Sequence, residues 1–148
     1  MILQFMRVRP REDADLDPPS YQTAGAAGMD IKAGVREPLT IAPGEIVLVP
    51  TGWAMAISDG YEGQVRPRSG LALKKGLTLV NTPGTIDSDY RGEMMLPMIN
   101  LGKEVVVVNR GDRVAQLVIN KVERPQVVVV ESLDETVRGS GGFGSTSV

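Results

Sequence analysis

Residues able to do chemistry gather in short stretches of this chain, and the richest is Asn81-Thr-Pro-Gly-Thr-Ile-Asp87-Ser-Asp89-Tyr90-Arg91-Gly-Glu93. Two strand-like ends around Pro83-Gly84 predict a β-hairpin. Its slot would offer backbone N–H and C=O groups to the edge of a flat ring, and the Asn81 amide supplies both a donor and an acceptor. Asp87, just past the slot, is placed to hold and deprotonate a water. The plainer alternative is that Asp87, Ser88 and Asp89 only make a hydrophilic turn.

The closing segment, Arg138-Gly-Ser-Gly-Gly-Phe-Gly-Ser-Thr-Ser-Val148, puts an arginine, one aromatic ring and a glycine-rich backbone outside any core. Open N–H groups wrap phosphate oxygens, Arg138 adds a charged contact, and Phe143 offers a flat face to a ring. The combination suits a nucleotide; a frayed terminus without a role is the alternative.

Three further clusters carry polar residues that a β core does not need. Arg66-Pro-Arg68-Ser69-Gly70 sets guanidinium groups and a hydroxyl before a short helical turn, whose free N–H groups attract phosphate. The alternative is a capped turn beside two solvated arginines, and Lys74 and Lys75 read as solvated charges. Small residues from Ala24 to Gly28 lead into Asp30 at the start of a strand, where backbone approaches a ligand or metal closely. By itself Asp30 reads first as an ordinary strand-end carboxylate. Asn109-Arg110-Gly-Asp112-Arg113 precedes an apolar strand that Gln116 interrupts, as a residue facing a polar cleft would. Arg113 is expected to pair with a carboxylate. An adhesion role for Arg110-Gly111-Asp112 is discounted, because the triplet is a turn leading directly into a hydrophobic strand.

Composition narrows the chemistry further. The chain has 148 residues with no histidine and no cysteine. Ser-His-Asp triads, thiolate nucleophiles and zinc held by His or Cys are therefore excluded. Acid and base groups must be carboxylates, lysine or tyrosine, and a metal would be a hard, oxygen-bound ion such as Mg²⁺. A net charge of −2 argues against a general nucleic-acid or membrane-surface binder. Neither a signal peptide nor a run of about eighteen apolar residues is present, so a soluble, cytoplasmic protein is expected.

The elements that must position these groups are short strands cut by 17 glycines and 10 prolines. Strands are predicted at Leu3 to Val8, Met29 to Ala33, Leu39 to Ile41, Glu45 to Val49, Trp53 to Ile57, Gln64 to Arg66, Leu77 to Leu79, Glu93 to Ile99, Val105 to Val108, Val114 to Val122 and Val127 to Val130. Helical character is confined to Ser69 to Lys75, with Ser69 as the cap and Gly76 ending the turn. One all-β domain follows, a jelly-roll-like β-sandwich with at most one short helix. Val105 to Val108 and Val127 to Val130 are apolar throughout and should be covered on both faces, by a subunit partner or by a loop or second sheet.

Taken in order, the clusters resemble the five motifs of the homotrimeric dUTP pyrophosphatase (dUTPase) family over about Pro18 to Thr146. The matching strings are Ala-Gly-Met-Asp30, Pro67-Arg68-Ser69-Gly70, Gly84-Thr-Ile-Asp87-Ser-Asp-Tyr90-Arg-Gly-Glu93, Gly111-Asp-Arg113-Val-Ala-Gln116 and Arg138-Gly-Ser-Gly-Gly-Phe143-Gly-Ser-Thr146. Ser147 stands where the family usually has glycine. The resemblance implies a β domain over residues 1–137, a closing arm over 138–148, a homotrimer with shared active sites, and hydrolysis of dUTP to dUMP and pyrophosphate, which limits uracil in DNA. It implies Mg²⁺ on the triphosphate, with Asp30 orienting its waters, and gives Asp87 the catalytic water. Asn81, Gly84, Thr85 and Ile86 then contact uracil, and Tyr90 lies under the deoxyribose as the gate against ribose. Arg68, Ser69, Gly70 and Gln116 hold phosphates and Arg138 reaches the outer ones. Phe143 stacks on the base, while Gly142, Gly144, Ser145 and Thr146 close the lid. The related dCTP deaminases carry a catalytic glutamate where this chain has Pro97, so no deaminase activity is expected.

Overall fold

The computed structural model describes residues 2–142, which form ten strands and one short helix. In chain order these are β1 (Leu3–Arg7), β2 (Met29–Lys32), β3 (Leu39–Ile41), β4 (Ile46–Ile57), β5 (Tyr61–Pro67), α1 (Ser69–Lys75), β6 (Leu77–Leu79), β7 (Gly84–Ile86), β8 (Glu93–Asn100), β9 (Val106–Val108) and β10 (Arg113–Lys121). Two four-stranded sheets, ordered β1-β4-β8-β6 and β2-β10-β5-β7, and the small β3-β9 pair are antiparallel throughout. This is the expected all-β sandwich with one short helix.

Alternation builds the core. In β8 every second residue, Met94, Leu96 and Met98, is buried and packs with Val49 and Met55 of β4, Val65 of β5 and Leu117 of β10 in one cluster. Buried Asn100 closes the end of β8 with every amide group paired. Its Nδ2 donates to the Ile41 and Glu104 carbonyls at 3.0 and 2.8 Å, and its Oδ1 accepts from Gly102 N at 2.8 Å. No described helix is long and apolar enough to cross a membrane.

Four expectations need correction. The segments Glu45 to Val49 and Trp53 to Ile57 are one strand, bent at Gly52 (φ 79°), where the register with β8 shifts between Pro50 and Ala54. Arg68, not Ser69, is the N-cap of α1, and no side chain caps the helix; Gly76 ends it in the left-handed conformation, as expected. Val127 to Val130 is not a strand. Among the described residues it pairs with nothing, and Val129 is 94% exposed. Val106 and Val108 of β9 are buried while Val105 and Val107 are exposed, so among the described residues no loop or second sheet covers the other face of that run.

A further correction bears on function. β6 and β7 do not form a hairpin ladder, since β6 pairs with β8 in one sheet and β7 with β5 in the other. Each is the end strand of its sheet. The connection over residues 80–83 therefore carries the chain from one sheet to the other, and the slot opens between two strand edges that are unpaired among the described residues.

Candidate active site

A cavity of about 220 Å³ lies where those two edges meet. Asn81, Gly84, Thr85, Asp87 and Tyr90 line its mouth, and Val65, Leu79 and Leu96 line its apolar floor. Gly84 opposes Val65, and a Cβ at Gly84 would stand 3.2 Å from the Asn81 amide nitrogen, so glycine here lets Asn81 lie close over the strand. The Asp87 carboxylate is exposed beside the cavity and, among the described residues, engages no donor. Its lone pairs remain available to a water. Tyr90 is half-exposed, and its hydroxyl donates to the Glu93 carbonyl oxygen at 3.0 Å.

A second cluster centres on Asp30, only 4% exposed, in β2. Arg113 Nη1 donates to Asp30 Oδ2 at 3.0 Å and Gln116 Nε2 to Oδ1 at 3.2 Å, while Arg68 Nε stands 3.5 Å from Oδ1. Gln116 faces Asp30 in the β2–β10 register and Arg66 in the β5–β10 register. The expected carboxylate partner of Arg113 is thus Asp30. A Cβ at Gly28 would come within 3.3 Å of the Gln116 side chain, so the small residue before Asp30 makes room for that amide. Arg68 Nη1 also donates to the Arg113 carbonyl at 3.1 Å. Three nitrogen-bearing side chains thus surround one buried carboxylate and can turn spare N–H groups toward an anion. Ser69 and Gly70 are exposed beside them at the start of α1, and Arg66 is folded onto Gln64 instead.

The two clusters are kept apart by β5. Ile86 opposes Gly63, so Asp87 follows near the Glu62 end, whereas Arg68 and the Arg66–Gln116 pairing mark the other end. Six residues at about 3.3 Å each give a separation of roughly 20 Å. One chain therefore holds the slot and the cation cluster at opposite ends of a strand.

Of the closing segment, Arg138 is exposed and its Nε donates to the Gly141 carbonyl at 2.8 Å; Gly142 is half-buried. Neither lines the slot, and among the described residues neither hydrogen-bonds to the Asp30 cluster. Phe143, Gly144, Ser145 and Thr146 lie outside the described residues.

Sequence reasoning missed an ionic network behind the slot. Arg9 forms a bidentate pair with Glu93 at 2.7 and 2.8 Å, Glu93 Oε1 also accepts from Gly52 N at 2.7 Å, and Arg9 Nε lies 2.9 Å from buried Asp13. Arg9 holds the Glu93 carboxyl below its ordinary value, helped by the Gly52 N–H. Arg110 binds Asp13 at 3.1 Å and both oxygens of Asp15 at 2.6 and 2.8 Å, and lowers the Asp15 carboxyl to about 2. The guanidinium of the Arg-Gly-Asp turn is thus engaged inside the chain, and Asp112 accepts from Asn109 N at 2.8 Å. An adhesion role for that turn loses its free groups. The Arg9–Glu93 and Arg110–Asp13 pairs join residues more than eighty positions apart, and no local pattern announces them.

Comparison with known proteins identifies the family. A family model described as dUTPase matches residues 14–147. The deoxyuridine 5'-triphosphate nucleotidohydrolase of Desulfotalea psychrophila is 55% identical over 146 residues, 99% of this chain and 97% of that relative. The enzyme of the same name from Caldanaerobacter subterraneus is 55% identical over 144 residues, 97% of each. Among solved structures, Staphylococcus bacteriophage 80alpha dUTPase with dUPNHPP superposes with a TM-score of 0.85 at 25% identity, covering 99% of both chains. The chain belongs to the dUTPase family.

Proposed function

We propose that the chain hydrolyses dUTP to dUMP and pyrophosphate, with Asp87 as the general base. The observation that carries this reading is the Asp87 carboxylate, without a donor among the described residues, at the mouth of a slot between the end strands β6 and β7, in a chain with no histidine or cysteine. Backbone groups of Gly84, Thr85 and Ile86, with the Asn81 amide, read the edge of uracil, and Tyr90 underlies the deoxyribose. Asp87 takes a proton from a water whose oxygen attacks the α-phosphorus as the bond to pyrophosphate breaks. Arg68, Ser69, Gly70 and Gln116 bind phosphate oxygens, and Arg138 with the Gly-rich arm of residues 138–148 shuts the site against solvent.

Mg²⁺ fits these residues only as an ion carried on the triphosphate. Among the described residues no three acidic groups gather as ligands, and both Asp30 oxygens are already engaged. Asp30 would meet it through water. When bound, the ion neutralises phosphate charge.

Completion of the site requires more than one chain. The roughly 20 Å along β5 between Asp87 and Arg68 exceeds the reach of one water-bridged contact. A homotrimer in which Asp87 and the slot of one subunit meet the Asp30–Arg68–Gln116 cluster of another resolves this. Support comes from Val127 to Val130, whose apolar side chains stay largely exposed among the described residues.

The test is pyrophosphate release from dUTP, dTTP, dCTP and UTP with and without Mg²⁺. Activity confined to dUTP and enhanced by the ion is expected; equal turnover of dTTP or UTP would refute the slot and sugar-gate assignments.

A further inference from the structure

Contacts that the hydrolytic reading leaves unused brace the turn after Asp87. The Tyr90 phenol lies across the backbone at Gly92, where a Cβ would stand 2.3 Å from the tyrosine Oη and 2.6 Å from Cζ. Gly92 does not have a positive φ, so an alanine backbone is tolerated, and the three nearest atoms its Cβ would meet all belong to the Tyr90 side chain. The Tyr90 hydroxyl reaches the Glu93 carbonyl at 3.0 Å only because that side chain can lie flat there.

The acceptor itself is fixed. Glu93 begins β8, and its carboxylate is clamped by Arg9 and by Gly52 N. On the other side of the turn, Arg91 Nη1 donates to the carbonyls of Ser88 and Tyr90 at 2.7 and 2.8 Å. The ring is therefore held at its base by the turn and at its tip by an immobile carbonyl.

We infer that Gly92 is a specificity-determining residue: by admitting the Tyr90 ring against the backbone it sets the wall that rejects a ribose hydroxyl. This rests on the reading of Tyr90 as the sugar gate. A wall excludes one added hydroxyl only if it cannot yield, and pockets that yield discriminate poorly. A Cβ at position 92 displaces the phenol and breaks its hydrogen bond to Glu93. Because the clash is with the far end of one side chain, the fold survives while the gate loosens.

The experiment measures kcat/KM for dUTP and for UTP in the full-length wild type, Gly92→Ala, Tyr90→Phe and Tyr90→Ala, with thermal unfolding as the check on folding. Gly92→Ala is expected to melt near the wild type and to lower the dUTP-over-UTP ratio about tenfold. Tyr90→Phe, which loses only the hydroxyl tether, should lower it in the same direction. An unchanged ratio in Gly92→Ala beside a collapsed ratio in Tyr90→Ala would overturn the inference and leave the sugar gate standing. An unchanged ratio in Tyr90→Ala would overturn the gate itself. Should Gly92→Ala fail to fold, Tyr90→Phe decides alone, and an unchanged ratio there overturns the inference.

Discussion

Gln116 and Asp30 face each other across the β2–β10 register, and the glutamine amide donates to the buried carboxylate at 3.2 Å. The pairing leaves the second amide proton of Gln116 free for a phosphate oxygen and makes Asp30 the hub that orients Arg113 and Arg68 as well. Replacing Asp30 by alanine removes the only carboxylate among these cations. A loss of roughly 2 kcal/mol is expected, discounted from a fully buried pair because the arginines are partly exposed. Urea unfolding measures the loss, and nucleotide binding should weaken together with stability.

Asp87 stands apart from any ion pair among the described residues, so its removal should leave folding intact. Asp87→Asn is expected to lower kcat by about a thousandfold while the Kd for dUTP changes only a few-fold, because a base acts in the transition state and hardly in ground-state binding. Single-turnover kinetics with equilibrium binding separates the two effects. A Kd that rises as much as kcat falls would make Asp87 a binding group instead.

Acid should act through Glu93. Its carboxyl is held below the ordinary 4.5, first by the Arg9 hydrogen bonds and then by Gly52 N. A depressed carboxyl contributes stability that is fully present above about pH 4.5 and lost as the pH falls through its lowered native value. Melting curves from pH 7 to pH 3 should therefore show the wild type losing stability below that point. Glu93→Gln should begin less stable at neutral pH and lose less on acidification. Parallel curves would remove Glu93 from this role.

Much of this architecture was legible in local pattern. Ser69 to Lys75 and Leu77 to Leu79 match the structure at both ends, because a glycine stop and apolar alternation are local signals. Gln116 stood out as a polar residue in an apolar strand and Asp30 as a carboxylate after a run of small residues, and the two meet. What local pattern could not carry was which edge each strand joins. Leu77–Leu79 and Gly84–Ile86 look like the arms of a hairpin, yet their partners lie in different sheets, and those partners are set by long-range packing. Val127 to Val130 has strand composition but no described neighbour to pair with, so β-propensity alone misleads there. The Arg9–Glu93 and Arg110–Asp13 pairs bridge distant segments and depend wholly on the fold.

The measurement that bears most directly on the division of the site between chains is complementation. Asp87→Asn and Arg68→Ala, each inactive alone, are co-expressed with different tags, and mixed assemblies are purified through both tags. In a shared site, an Arg68→Ala chain supplies Asp87 while its Asp87→Asn neighbour supplies Arg68. Each mixed trimer then has one of its three cyclic interfaces intact, so about a third of wild-type dUTP turnover should be restored. Mixed assemblies no more active than either parent would contradict a site built from Asp87 of one subunit and Arg68 of another.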